Sequence, residues 1–174
     1  HPCQVLADLM TIREYKGPLE GLKLCFIGDG NNMMNSLIVG GLKSKMEVSV
    51  ACPAAYQPNA AVLDFAAVHP AFSMTQDPFE AAKGADVLIT DVWASMGEEA
   101  EAEKRRKDFK GYQINKEVLS QAKPDAIVLH CLPAHRGEEI TADVFEEHSK
   151  EFFDEAENRL HAQKAVLVKL LGKQ

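Results

Sequence analysis

The stretch AIVLHCLPAHRGEEIT, residues 126–141, ends a hydrophobic run on His130 and Cys131, followed by His135 and Arg136. A cysteine beside a histidine suggests a thiolate–imidazole nucleophile or half of a metal site. Geometry removes the first reading: neighbours on a strand point to opposite faces, so these two side chains do not touch. Spacing removes the second, because His130, Cys131 and His135 do not share one face and the chain has no CxxC pair; no metal is expected. Three readings stay open. Cys131 could touch a ligand from a strand tip. His130 could be a core histidine. Arg136 could bind an anion or pair with Glu138 or Glu139.

Two other stretches carry polar residues after apolar runs. GDGNNM, residues 28–33, is half of a dinucleotide fingerprint: Met33 stands where the third glycine belongs. A nicotinamide domain also wants an acid at the end of the second strand to hold the ribose, and that end reads VACP. Dinucleotide binding is therefore not expected. Asn31 and Asn32 instead offer amide donors and acceptors near a helix N-terminus, which suits a carboxylate or an amino-acid head. In DVWASMGEE, Asp91 closes an apolar strand, where an acid is costly unless exposed or paired. It could hold an ammonium group or cap a turn. Ser95, Met96 and Gly97 form a loop able to close over a ligand, and Trp93 reads as packing. Arg159, placed at the start of the last helix against the dipole preference, hints at an anion.

Elements that could position these residues are legible. Residues 3–16 read as an amphipathic helix stopped by Gly17-Pro18. Strands are expected at 22–28, 47–53, 72–77, 86–93 and 126–133. Helices are expected between them: one ending at Gly40-Gly41, a short one at 57–68, one opened by Asp77-Pro78, a charged solvated one ending near 109, and one at 114–123. A Thr-capped helix follows the last strand. The closing helix carries an apolar stripe of Leu160, Ala165, Leu167, Val168 and Leu171. Alternating helices and continuously apolar strands describe an α/β domain: three αβα layers around a doubly wound, mostly parallel, Rossmann-like sheet. In such a sheet ligands bind outside the carboxyl ends of the strands, where all three polar stretches lie.

Composition narrows the function classes. A net charge of −7 gives nucleic acid or an anionic membrane no electrostatic footing. No apolar run is long enough to span a bilayer, and no signal peptide or lipidation motif is visible. The four cysteines, at 3, 25, 52 and 131, fit no disulfide framework. Cys25 and Cys52 sit in strand-like runs as small core residues, and a reducing cytoplasm is the expected compartment. The chain opens at His1-Pro2 without methionine, which suggests a piece of something longer.

Taken together, HPCQVLAD (1–8), DVWASMG (91–97), HCLPAHRGEE (130–139) and EAENRLHAQKA (155–165) resemble, in order, the motifs of the carboxy-terminal, ornithine-binding domain of the ornithine carbamoyltransferase family. The resemblance covers nearly the whole chain, with residues 1–16 as the interdomain helix. It implies transfer of a carbamoyl group from carbamoyl phosphate to the δ-amine of L-ornithine, by direct attack, with no cofactor and no covalent enzyme intermediate. By the same resemblance His1 and Gln4 hydrogen-bond the carbamoyl group, with His1 polarising its carbonyl. The backbone at Cys131 and Leu132 holds the amide, and Arg159 lies beside it. Asn32, Asp91, Ser95 and Met96 bind ornithine, and the Cys131 thiol sits near the reacting amine, orienting or deprotonating it. Aspartate-specific relatives lack the SMG loop and HCLP, and putrescine-type relatives lack SMG, so ornithine is favoured.

The family's phosphate-gripping Ser-Thr-Arg-Thr-Arg segment, which belongs to an amino-terminal domain, is absent here. The resemblance therefore implies a half-enzyme of a full-length homotrimer, with a monomeric chain that is inactive alone as the expectation. The rivals are a carbamoyltransferase for another amine and a non-catalytic amino-acid-binding module. The metabolic direction, biosynthetic or catabolic, is not written in these residues.

Overall fold

LKLCFI, VLIT and IVLH lack the polar alternation of half-exposed strands; EVSVA alternates Glu47 and Ser49 with valines, yet Ser49 is buried with them, and in the fold both faces of these strands are covered. The computed structural model describes residues 1–94 and 101–172. Among them five strands form one sheet: β1 (Lys23–Ile27), β2 (Glu47–Ala51), β3 (Phe72–Thr75), β4 (Val87–Thr90) and β5 (Ile127–His130). Their order is β3-β2-β1-β4-β5, and every pairing is parallel.

Strand residues alternate between two cores. Leu24, Phe26, Val48, Val50, Val87, Ile89, Ile127 and Leu129 pack with α1 (Pro2–Lys16), α2 (Asn32–Lys43) and α3 (Ala60–Ala67). Cys25, Ile27, Ala51, Leu88 and Val128 face the other side, toward α4 (Pro78–Ala82), α6 (Lys116–Leu119), α7 (Ala142–Glu147) and Phe152 of α8 (Ser149–Leu171). α5 (Ala102–Asp108) precedes α6. The three-layer, doubly wound reading holds, and Cys25 and Cys52 are core residues as expected. The chain runs outward from β1 through β2 to β3, then crosses to β4 and β5. The switch point thus lies between the ends of β1 and β4, the crevice in which open α/β sheets bind ligands.

Polar caps set several helix starts. Asn31 accepts from Met33 N and Met34 N, Asn59 from Ala61 N, Asp77 from Phe79 N and Asn115 from Val118 N.

Four expectations need correction. Gly40 and Gly41 do not stop α2, which runs on to Lys43. A β-carbon on Gly40 would meet Val5 Cγ1 at 2.4 Å, and one on Gly41 would meet Val48 Cγ2 at 2.7 Å. The pair lets α2 sit close to α1 on one side and to β2 on the other, a packing reason rather than a capping one. Second, α8 begins ten residues before Arg159, so Arg159 is mid-helix and the dipole argument does not apply. Third, the stripe assigned to that helix is exposed at Leu160, Leu167, Val168 and Leu171. The face it buries carries Phe152, Glu155, Asn158 and Ala162. Fourth, the charged segment is not wholly solvated: Arg105 of α5 is buried.

Candidate active site

The ends of β1, β4 and β5 are joined by a chain of side-chain hydrogen bonds. Asn31 spends its carboxamide oxygen capping α2, at 2.9 Å from Met33 N and 3.2 Å from Met34 N. Its Nδ2 donates to Asp91 Oδ2 at 2.9 Å. Asp91 Oδ1 accepts from Val92 N at 2.8 Å and from the Cys131 thiol at 3.2 Å. An acid that sequence alone left as either ammonium holder or turn cap therefore fixes both neighbouring strand ends, while 8% of its surface stays open. Burial comes first, then the Asp91 carboxylate, then Glu155 and Asp8, in pushing the Cys131 thiol far above its ordinary range. Cys131 is held as a hydrogen-bond donor.

His130 and Cys131 do part to opposite faces. Cys131 packs against the α1–α2–α3 core, whereas His130 Nε2 lies 3.0 Å from Glu139 Oε1. The Leu132 N–H donates to His130 Nδ1 at 2.9 Å, so the ring hydrogen is on Nε2 and points at Glu139. Glu139 Oε1 also accepts from His135 N at 2.6 Å. These bonds clamp the tight loop after β5. Within it Leu132 adopts φ 52, a left-handed conformation that side chains populate sparsely and that gathers at ligand sites.

Behind the β5 tip, α8 crosses α1. Arg159 Nη1 donates to Gln4 Oε1 at 2.7 Å, and Gln4 is buried. Gln4 Nε2 donates to Asp8 Oδ1 and to Glu155 Oε1, both at 2.8 Å. Glu155 Oε2 accepts from His130 N at 2.9 Å, which ties this cluster to the strand carrying Cys131. His1 caps α1, one turn before Gln4, and is exposed. Asn32 is exposed at the first position of α2. Ser95 and Met96 lie outside the described residues. The structure thus links Asp91 with Cys131, links Gln4 with Arg159, and sets His1 and Asn32 at the exposed starts of α1 and α2.

The half-fingerprint has a structural explanation. A β-carbon on Gly30 would stand 2.3 Å from the Gln57 backbone, and Gly30 N bonds Tyr56 O at 2.9 Å, so this glycine serves a chain crossing. Arg136 pairs with Glu146, at 2.8 Å, rather than with Glu138 or Glu139. Trp93 stacks on Phe109 with ring centroids 5.9 Å apart, which is packing. Among the described residues His135, Glu138 and Glu139 bring possible metal-ligand atoms within 4.8 Å of one another. Glu139 is already committed to His130 and His135 N, and Glu138 to Arg106 at 2.8 Å.

Sequence reasoning passed over Asp8, Asp29, Arg105, Glu139 and Glu155. Two of them were signalled: Asp8 follows Gln4 by four residues and Glu155 precedes Arg159 by four, which puts each on its partner's helix face. Arg105 gave no such signal. Its Nη1 reaches Asp29 Oδ2 at 2.8 Å and Trp93 O at 2.9 Å, contacts that tie α5 to the segments following β1 and β4.

Comparison with known proteins shows the family. Residues 20–170 match the family model for the aspartate/ornithine carbamoyltransferase Asp/Orn-binding domain. An ornithine carbamoyltransferase of Methanosarcina mazei is 56% identical over 172 residues, covering 98% of this chain and 57% of that protein. The solved structure of the Pyrococcus furiosus ornithine carbamoyltransferase matches with 52% identity and a TM-score of 0.88, over 97% of this chain and 55% of that one. The anabolic enzyme of Campylobacter jejuni matches with 42% identity and a TM-score of 0.93, over 100% of this chain and 59% of that one. The chain thus spans somewhat over half the length of the relatives it matches. On the matched residues and the shared fold, the chain belongs to the aspartate/ornithine carbamoyltransferase family, as its Asp/Orn-binding domain.

Proposed function

We propose that this chain supplies the ornithine-binding half of a carbamoyltransferase that converts carbamoyl phosphate and L-ornithine to citrulline and phosphate. The observation that carries this reading is the Asn31–Asp91–Cys131 chain of hydrogen bonds at the switch point of a domain from this family. Asp91 is the anion on that rim and takes the α-ammonium of ornithine. Asn32 and the backbone at Met96, with Ser95 beside it, take the carboxylate. The δ-amine then extends toward Cys131.

On the other side, carbonyl oxygens of Cys131 and Leu132 hold the carbamoyl amide. Gln4 and Arg159 lie beside it, and His1 donates to the carbonyl oxygen as charge develops there. The neutral amine attacks the carbonyl carbon, the bond from that carbon to the phosphate oxygen breaks, and phosphate leaves with the electron pair. The amine sheds a proton. Because Cys131 already donates to Asp91, its role is to orient the amine, and the proton goes to the departing phosphate or to water.

The full-length protein is expected to be a homotrimer built on the amino-terminal part. A cytoplasmic setting is supported by four unlinked cysteines. No described helix is long and apolar enough to cross a membrane.

The test is citrulline formation by the full-length protein, with aspartate and putrescine as competing amines. Turnover with ornithine alone is the expected result. Preferential turnover of another amine, or binding of ornithine without turnover, would replace this reading with one of its rivals. The 174-residue chain by itself is expected to form no citrulline.

A further inference from the structure

Gln4, Asp8, Glu155 and Arg159 meet in a dry cluster where α1 crosses α8. Asp8 and Glu155 are both 0% exposed. Gln4 Nε2 divides its two hydrogens between them, at 2.8 Å each, and Glu155 Oε2 takes the His130 N–H at 2.9 Å. Of the four carboxyl oxygens, Asp8 Oδ2 is the one that is buried and meets no donor. The neighbouring cation does not fill the gap, since Arg159 gives its hydrogen bond to Gln4 Oε1. Two bare carboxylates in such a place are strongly disfavoured. A single proton on Asp8 Oδ2 removes one charge, satisfies the orphaned oxygen and supplies a hydrogen bond between the two carboxyls, which lie within reach of each other.

We propose that Asp8 and Glu155 are positioning residues that share one proton, carried by Asp8, and that the pair fixes the Gln4 carboxamide, the Arg159 guanidinium and the β5 tip as one unit. The inference deepens the proposed function, since it rests on reading Gln4 and Arg159 as carbamoyl contacts. Its logic is directional. With both carboxyls accepting from Gln4 Nε2, Oε1 must face Arg159; a flipped carboxamide would turn its oxygen against two acids. The His130 N–H bond carries the same constraint to the peptide groups beside Cys131. The charged and titratable groups facing the pair are Arg159 from α8 and the Cys131 thiol from β5, which feels both carboxyls. The His130 ring turns away to Glu139. Burial comes first in pushing both acids up, Asp8 to about 7 and Glu155 well above its ordinary range, where the neighbouring Asp8 carboxyl adds to it; the pair therefore retains a proton, and the orphaned Asp8 Oδ2 is what places it.

Titration by NMR of the chain labelled with 13C at its Asp and Glu carboxyl carbons reads the proton directly. One carboxyl should stay protonated until near neutral pH, and its signal should be missing from Asp8→Asn. If every carboxyl titrates below about pH 5, the ordinary range for exposed acids, the proposal fails. This arm needs no turnover, so it stands whether or not the proposed function does. Kinetics of the full-length protein read the positioning. The Asn amide of Asp8→Asn can donate where the acid hydrogen did, so kcat/KM for carbamoyl phosphate should hold within about threefold and lose its dependence on the Asp8 proton. Glu155→Gln sets an amide N–H against the N–H of His130 or of Gln4, and should lower the same parameter roughly 30-fold, as should Asp8→Ala. Equal losses in Asp8→Asn and Asp8→Ala, or no loss in Glu155→Gln, would overturn the positioning role.

Discussion

Cys131 donates its thiol hydrogen to Asp91 Oδ1 at 3.2 Å, and this contact sets what the thiol can do. A cysteine becomes a nucleophile or base as the thiolate, which forms beside cations and helix N-termini. Here burial and three acids, Asp91 foremost, work in the opposite direction. The strand tip therefore presents a donor that holds Asp91 in place and peptide groups that face outward.

Alkylation separates this thiol from its neighbours. In the 174-residue chain Cys131 should resist iodoacetamide at pH 8 while Cys3, half-buried and free of that acid cluster, reacts. Asp91→Asn should speed alkylation of Cys131 several-fold by removing the largest electrostatic contribution. Cys131→Ser keeps a donor for Asp91, so stability should change by no more than about 1 kcal/mol in a denaturant titration. Turnover of the full-length protein should fall more than that. Unchanged turnover would reduce the thiol to packing.

Asp91 itself should matter through charge. In the full-length protein, Asp91→Asn should raise KM for ornithine roughly 30-fold or more, the scale of leaving a charged partner unpaired, with a smaller change in KM for carbamoyl phosphate. Equal effects on both constants would point to general loosening of the rim.

The buried acid pair gives a pH dependence with a definite sign. Asp8 has a folded-state value near 7 against about 4 when unfolded, so the folded protein binds more protons across that window. Its contribution is complete below about pH 4 and is lost as pH rises through 7, by up to about 4 kcal/mol. Asp8→Asn removes the Asp8 share of that loss and leaves that of Glu155, which burial also raises. The stability difference, variant minus wild type, should therefore climb between pH 4 and 7 and level off above. Equilibrium unfolding in urea at several pH values measures it, and a flat difference would remove the proton from Asp8.

The fold was legible because parallel strands covered on both faces are largely apolar, as LKLCFI, VLIT and IVLH are; EVSVA carries Glu47 at its exposed start and a Ser49 that is buried through a bond to Ala81 O. The helix opening at Asp77 was readable from local chemistry alone, whereas Asn31, read as an amide for a ligand, proves to cap α2. What escaped was long-range. Nothing near Arg105 in the sequence says that it meets Asp29, 76 positions away. The exposed leucines of α8 look like any core stripe, because periodicity reports that a face is apolar without reporting what lies against it. Gly40 and Gly41 carry the same ambiguity, since a glycine reads as a helix stop or as a close contact depending on a neighbour that only the tertiary structure supplies.

Gly40 lends itself to a two-sided test. In Gly40→Ala the new methyl would press on the branched, buried Val5, whose Cγ1 would lie 2.4 Å from it. Overpacking of this kind costs about 1–3 kcal/mol, against a gain below about 1 kcal/mol in helix propensity. The denaturation midpoint should fall. Val5→Ala alone should also destabilise, through a cavity, yet the double variant should lie above the sum of the two, because each change relieves the other. Strict additivity would show that the helices separate freely and that the glycine is not needed for their approach.

Arg105 and Asp29 test whether a buried pair or its packing holds the loops that follow β1 and β4. Both side chains are about nine-tenths buried, and the Arg105 guanidinium also lies 5.0 Å from the Tyr56 ring. Arg105→Met leaves Asp29 buried without this cation and should cost about 3–5 kcal/mol. Asp29→Asn should cost less, because its amide oxygen still accepts from the guanidinium. Combining Arg105→Met with Asp29→Leu removes both members of this contact and should recover part of the loss, the part that comes from separating the two buried charges. If the double variant were instead as unstable as Arg105→Met, the arginine's other contacts, those to Trp93 O, Glu101 and the Tyr56 ring among them, would be what it provides. The pair would then be a byproduct of anchoring the backbone after β4 next to Asp91.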